Sequence, residues 1–111
     1  MSQHDYVAAV LAAYTALPDT PGAARSTDRR TARDLFAAGH PIDTVLAAFQ
    51  LASARRRTRP PSAPPLPSIR SLAYFLPVID EVAAQPLDPG YRLYLAKRAA
   101  PVRIPAVSDE R

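Results

Sequence analysis

Five of the eight residues from Pro60 to Pro67 are proline. No other stretch limits the fold as tightly. Proline has no backbone N–H and a fixed φ, so this octet suits neither a helix interior nor a central strand. It is expected to run extended, near polyproline II. A basic cluster (Arg55, Arg56, Arg57 and Arg59) enters it, and an apolar segment from Ser68 to Val82 leaves it. That segment is too short and too apolar to stand alone. The octet therefore reads as a loop inside one domain, and 111 residues suit one domain rather than two.

On both sides of the loop, apolar residues recur at three- and four-residue steps, the period of an α-helix. Val7, Val10, Leu11, Tyr14 and Leu17 mark a helix over about 2–17, with Ser2 as its cap and Asp5 in its first turn. Pro18 to Gly22 ends it. A second helix, over about 26–38, starts at Ser26 or Thr27, turns Ala32, Leu35 and Phe36 inward, and closes at Gly39. A third runs from Pro41 to about Arg57 and buries a stripe of Ile42, Val45, Leu46, Phe49 and Ala52. The short join between them predicts a helical corner or hairpin. A fourth helix starts at Ser68 and carries Ile69, Leu72, Phe75, Leu76 and Ile79; Pro77 kinks or restarts it. It is apolar around much of its surface, which places it at the centre. Asp88 caps a fifth, with Pro89 at its first position and Tyr91, Tyr94 and Leu95 on one face. The expectation is an all-α protein: a single compact five-helix domain over residues 1–100 with an internal Pro-rich loop at 60–67, then a flexible tail at 101–111.

The chain offers little for catalysis. It has no cysteine, so it can form neither disulfides nor thiolate metal sites. Neither His4 nor His40 has acidic residues at ligand spacing, so no metal and no cofactor is expected. Asp80 and Glu81 form the one adjacent carboxylate pair, on the polar side of an apolar helix, where a solvated face or a pairing with arginine accounts for them. There is no glycine-rich phosphate loop and no nucleophile elbow. No catalytic residue is assigned, and the chain is not read as an enzyme. The N-terminal residues lack a basic signal region and no apolar run reaches membrane length, so a cytoplasmic protein without a membrane partner is expected.

Charge is the more informative property. The formal net charge is +4 with a pI near 10.0, and Lys97 is the only lysine. Guanidinium groups suit phosphate recognition. Some arginine at a helix C-terminus is explained by the helix dipole, but four in five positions, with Arg70 beyond the loop, exceeds that need. The stiff connector is expected to leave Arg55, Arg56, Arg57 and Arg59 presented to solvent. Arg25, Arg29, Arg30 and Arg33 form a second group on the outer face of helix two, diluted by Asp28 and Asp34. The nucleic-acid-binding candidates are Arg55, Arg56, Arg57, Arg59, Arg70, Arg29, Arg30 and Arg33. The expected partner is nucleic acid, DNA favoured, with self-association or a protein partner in a nucleoprotein complex also compatible. The competing class is a non-catalytic protein–protein adaptor, assembly subunit or inhibitor acting on a nucleic-acid-processing complex. Tyr74, Phe75, Tyr91 and Tyr94 suit a core at helical spacing beside leucines, with base stacking as the alternative.

Residues 27–83 resemble the DnaD-like helical domains of bacterial and phage replication initiation. The likeness lies in Ala32, Leu35, Phe36, the Gly39 corner, then Ile42, Val45, Leu46 and Ala48. It continues in Ser71 to Ile79, where Tyr74 matches the family's tyrosine and Val78-Ile79 its aliphatics. The family's tryptophan is missing, Pro77 falls inside the helix, and the proline loop is foreign to the pattern. The resemblance implies a DNA-binding, often self-associating accessory module of plasmid, phage or integrative-element replication.

Overall fold

Side-chain caps set the starts of the first and last helices. Ser2 Oγ accepts from the backbone N–H of Asp5 at 3.1 Å and opens α1 (Gln3–Thr15). Asp88 Oδ2 accepts from Gly90 N at 2.9 Å and Tyr91 N at 3.3 Å and opens α5 (Pro89–Arg98). Pro41, extended at φ −61° and ψ 148°, sits immediately before α3 (Ile42–Arg57). Gly39 turns the corner between α2 (Ser26–Ala37) and α3 at φ +83°, a left-handed conformation that costs glycine little. In this computed structural model, which describes residues 1–98, a 3-10 turn at Leu72–Phe75 and α4 (Leu76–Ala84) complete the elements. The described residues form five α-helices and no strand, an all-α single domain. The tail expected over 101–111 lies outside the described residues.

The central element is α3, not the apolar segment after the proline loop. Every residue from Val45 to Ala54 is buried, including Gln50 and Ser53. α1, α4, α5 and the 3-10 turn all pack against α3. Its periodicity suggests one stripe because its other faces carry alanine, which is as easily hidden as exposed. Ala47, Ala48, Ala52 and Ala54 let neighbours approach closely from several sides. Arg92 Nε donates to Gln50 Oε1 at 3.1 Å, so the buried amide oxygen is satisfied. α2 packs on α1 and the 3-10 turn, which makes the α2–α3 join a corner. Tyr6 braces it, donating its hydroxyl to the His40 carbonyl at 2.8 Å. Burial pushes the Tyr6 pKa up to about 12.

The segment after the loop departs from expectation at its start. Ser68 caps no helix; the chain stays extended until the 3-10 turn. Its backbone is used otherwise, with Ile69 N donating to Asp19 O at 2.8 Å. Of the two outcomes expected at Pro77, the structure shows the restart and not the kink: α4 begins around it after the 3-10 turn. In a first turn the missing N–H has no intrahelical acceptor to lose. Phe75 is fully buried, edge-on to Phe49 at 4.9 Å and to Tyr14 at 6.2 Å.

Asp28 was expected on a solvated arginine face and is instead 1% exposed. Its Oδ2 accepts from Arg25 N at 2.9 Å and its Oδ1 from Leu72 N at 2.9 Å. One carboxylate thus caps α2 and ties it to the 3-10 turn. Nearby Tyr14 has a buried hydroxyl with no hydrogen-bond partner among the described residues. Burial, then the charge of Asp28, raise its pKa.

Candidate nucleic-acid interface

The last turn of α3 carries Arg55, Arg56 and Arg57 at the negative end of the helix dipole, and the structure separates them. Arg55 forms a two-pronged pair with Glu81 of α4, Nη1 to Oε1 at 2.9 Å and Nη2 to Oε2. Both side chains are about half exposed. The hydrogen bonds from Arg55 hold the Glu81 carboxyl below the usual carboxylate range. The acidic pair noted at Asp80 and Glu81 is thus partly an arginine partner.

Arg56 is the larger departure. Its side chain is only 10% exposed. Nη1 donates to Tyr74 Oη at 3.1 Å, while Nη2 donates to Asp19 Oδ2 at 3.1 Å and Pro67 O at 3.0 Å. The guanidinium carbon lies 5.6 Å from the Tyr74 ring centroid, within cation–π range. Burial works against its charge, but the bonds to Tyr74 and Asp19 outweigh that and raise its pKa. Nε stays buried without a partner among the described residues, a cost these contacts offset. Arg59 Nη1 donates to Pro64 O at 2.6 Å. The proline segment therefore does fold back over the cluster. Proline carbonyls have no helix or sheet partner, which makes them natural acceptors for nearby guanidiniums. Arg56 and Arg59 hold the loop; Arg57 alone of the four points to solvent without a partner among the described residues.

Arg70, Arg29, Arg30 and Arg33 are all exposed, and no described carboxylate pairs with them. Arg29 and Arg33 fall four residues apart on one face of α2, a step of about 6 Å, and Arg25 precedes them as the extended residue at the helix N-cap. An open groove of about 380 Å³ lies at Arg25. Asp19, Thr20 and Pro21 line one side of this groove, Ser68, Ile69 and Arg70 the other, and Arg25 closes it. The Ile69–Asp19 backbone bond and the Asp28–Leu72 bond fix the two walls. The structure thus brings Arg70 beside the start of α2 and links Arg56 to it through Asp19. The sequence places Arg25 in the second arginine group but not among the binding candidates, and no local signal marks Asp19 or Asp28 as partners across 37 and 44 residues.

Among the aromatics, Phe75 is core, and Tyr74 is 44% exposed under Arg56. Tyr91 and Tyr94 are 45% and 52% exposed and lie near-parallel, with centroids 6.1 Å apart. Only Leu95 of the predicted α5 face is buried. Among the described residues no His, Cys, Asp and Glu cluster could hold a metal, and no helix is long and apolar enough to cross a membrane. No family model, curated protein or solved structure matches this chain.

Proposed function

We propose that this chain is a small, non-catalytic DNA-binding accessory protein of replication or of a mobile element, contacting phosphates through arginines. One observation carries the reading. Arg29 and Arg33 share a face of α2, Arg25 at its N-cap lines a groove with Arg70, and none of these four has a carboxylate partner among the described residues. The fold uses Arg55, Arg56 and Arg59 for its own contacts, so the binding role falls to Arg25, Arg29, Arg30, Arg33, Arg57 and Arg70. The resemblance of residues 27–83 to DnaD-like domains supports the same direction. The test is duplex binding over a salt series. Each phosphate contact removed lowers the slope of log affinity against log salt by about 0.9. Arg29→Ala with Arg33→Ala is expected to lower it by about 1.8 with the melting temperature unchanged. An unchanged slope removes Arg29 and Arg33 from the interface.

A second reading, a protein–protein adaptor, is favoured by α5, where Tyr91, Leu93 and Tyr94 all remain at least 45% exposed. Absence of any DNA shift at about 50 mM salt, where non-specific binding is strong, would decide for it.

A further inference from the structure

Two exposed features of this chain are complementary in chemistry. The first is the proline segment. Pro60 to Ala63 closes a turn, with Ala63 N donating to Pro60 O at 2.9 Å, so the extended run is Pro64 to Pro67. Proline fixes φ, and a residue before proline is pushed toward extended ψ; Ala63, Pro64 and Leu66 all precede prolines. In polyproline II three residues make one turn, so the carbonyls of Pro64 and Pro67 lie on one side. Those are the two that Arg59 and Arg56 hold. Pro64, Pro65, Leu66 and Pro67 nonetheless stay exposed. A run held at both ends has little entropy left to lose on docking.

The second feature is a groove of about 260 Å³ before and along the start of α5, with Val82 and Leu87 in its wall and Tyr91 at its edge. The Tyr94 ring lies near-parallel to that of Tyr91 and extends the aromatic surface. Aromatic-lined grooves are what receive polyproline II segments. Two carboxylates border this one. Glu81 is engaged by Arg55, but Asp88 caps α5 through Oδ2 only, and its Oδ1 has no partner among the described residues. Arg57, exposed three residues before Pro60, carries the opposite charge. Within one chain Arg56 ties the segment beside Tyr74 and Asp19, so the run that can fill the groove is another copy's.

We infer that the chain self-associates by seating Pro64–Pro67 of one copy on the Tyr91–Tyr94 groove of a second, reciprocally about a two-fold axis. The contact uses the segment foreign to the DnaD-like pattern and does not depend on the DNA-binding reading.

Sedimentation velocity without nucleic acid, from about 10 μM to 1 mM chain, reads the association. At about 150 mM salt, repulsion between two copies of net charge +4 is screened beyond about 8 Å. A concentration-dependent dimer is expected. Pro64→Ala with Pro65→Ala removes two rings and keeps the Pro64 carbonyl that Arg59 uses. Tyr91→Ala with Tyr94→Ala removes the aromatic surface. Each double variant is expected to dimerise at least about tenfold more weakly than the parent. Mixed together, they leave one intact segment facing one intact groove, so the mixture should associate more tightly than either variant alone, which also shows that both fold. In the parent, dilution should shift the NMR amide signals of Leu66 and Tyr91 together, a readout that needs no variant. A monomer throughout the range overturns the inference. So does a dimer that either double variant leaves unchanged, or dilution shifts that spare Leu66 and Tyr91.

Discussion

Replacing Asp28 with asparagine is the sharpest probe of this fold, because it keeps the shape and changes only the acceptors. The two carboxylate oxygens serve two donors, Oδ1 for Leu72 N and Oδ2 for Arg25 N, both at 2.9 Å. Asparagine has one carbonyl oxygen, and its NH₂ group would face the other N–H as a second donor. If the oxygen stays with Leu72, α2 loses its cap, worth about 1 kcal/mol. If it stays with Arg25, a buried N–H is left unpaired, costing about 1–3 kcal/mol. An opposing term exists, since burying a carboxylate in a site 1% exposed is itself costly and the neutral amide is relieved of it. Hydrogen bonds to a charged acceptor contribute about 1.5–3 kcal/mol each, so two of them should win. The expected net loss for Asp28→Asn is about 2 kcal/mol, and about 2–4 for Asp28→Ala, which loses both bonds. For a domain of this size 2 kcal/mol corresponds to a fall of roughly 8–16 °C in melting temperature. Urea unfolding followed by circular dichroism measures the energies, with exposed Asp34→Asn as a control expected within about 0.5 kcal/mol of the parent. An Asp28→Asn variant as stable as the parent would refute the argument: the carboxylate would then be a tolerated burial and not the tie between α2 and the 3-10 turn.

Phe75→Ala should cost about 3–5 kcal/mol in the same assay, because its ring is fully buried against Phe49 and Tyr14; a loss under 1 kcal/mol would mean the core collapses to fill the space. Arg56→Ala should destabilise by about 1–3 kcal/mol and speed protease cleavage within residues 60–67, whereas Arg57→Ala should do neither. Matching protease rates in the two variants would show that the loop is held without Arg56. Above pH 10 stability should fall. The Tyr6 pKa is raised to about 12 in the folded state against about 10 unfolded, so its contribution is complete below pH 10 and lost as pH rises to 12, at about 1.4 kcal/mol per unit. Tyr14, also raised, acts in the same direction. The slope of stability against pH in Tyr6→Phe should be shallower than the parent's between pH 10 and 12, and parallel slopes would contradict the assignment.

The sequence by itself determined the all-α, five-helix pattern, the caps at Ser2 and Asp88, the Gly39 corner and most of the inward residues; Ser26 or Thr27, expected to cap α2, lie inside it, and Arg25 takes the cap position. Ser2, Gly39 and Asp88 act through bonds or dihedrals within a few residues of themselves, so their roles are legible locally. The stripes Val10–Leu11–Tyr14–Leu17 and Ala32–Leu35 are buried as their spacing requires. Tertiary structure decided what local pattern leaves open. Alanine carries too little hydrophobic signal to tell one buried face from four, so the central place of α3 became apparent only from its neighbours. Tyr91 and Tyr94 share a helical face with Leu95, yet they stay about half exposed while the leucine is buried. Charged residues were the least legible, because an arginine or aspartate reads as solvated until a partner is brought to it. Asp28 finds Leu72 across 44 residues, and Arg56 finds Asp19 across 37 and Pro67 across 11. Those bonds, set by packing and not by spacing, determine which arginines serve the fold and which remain available to bind.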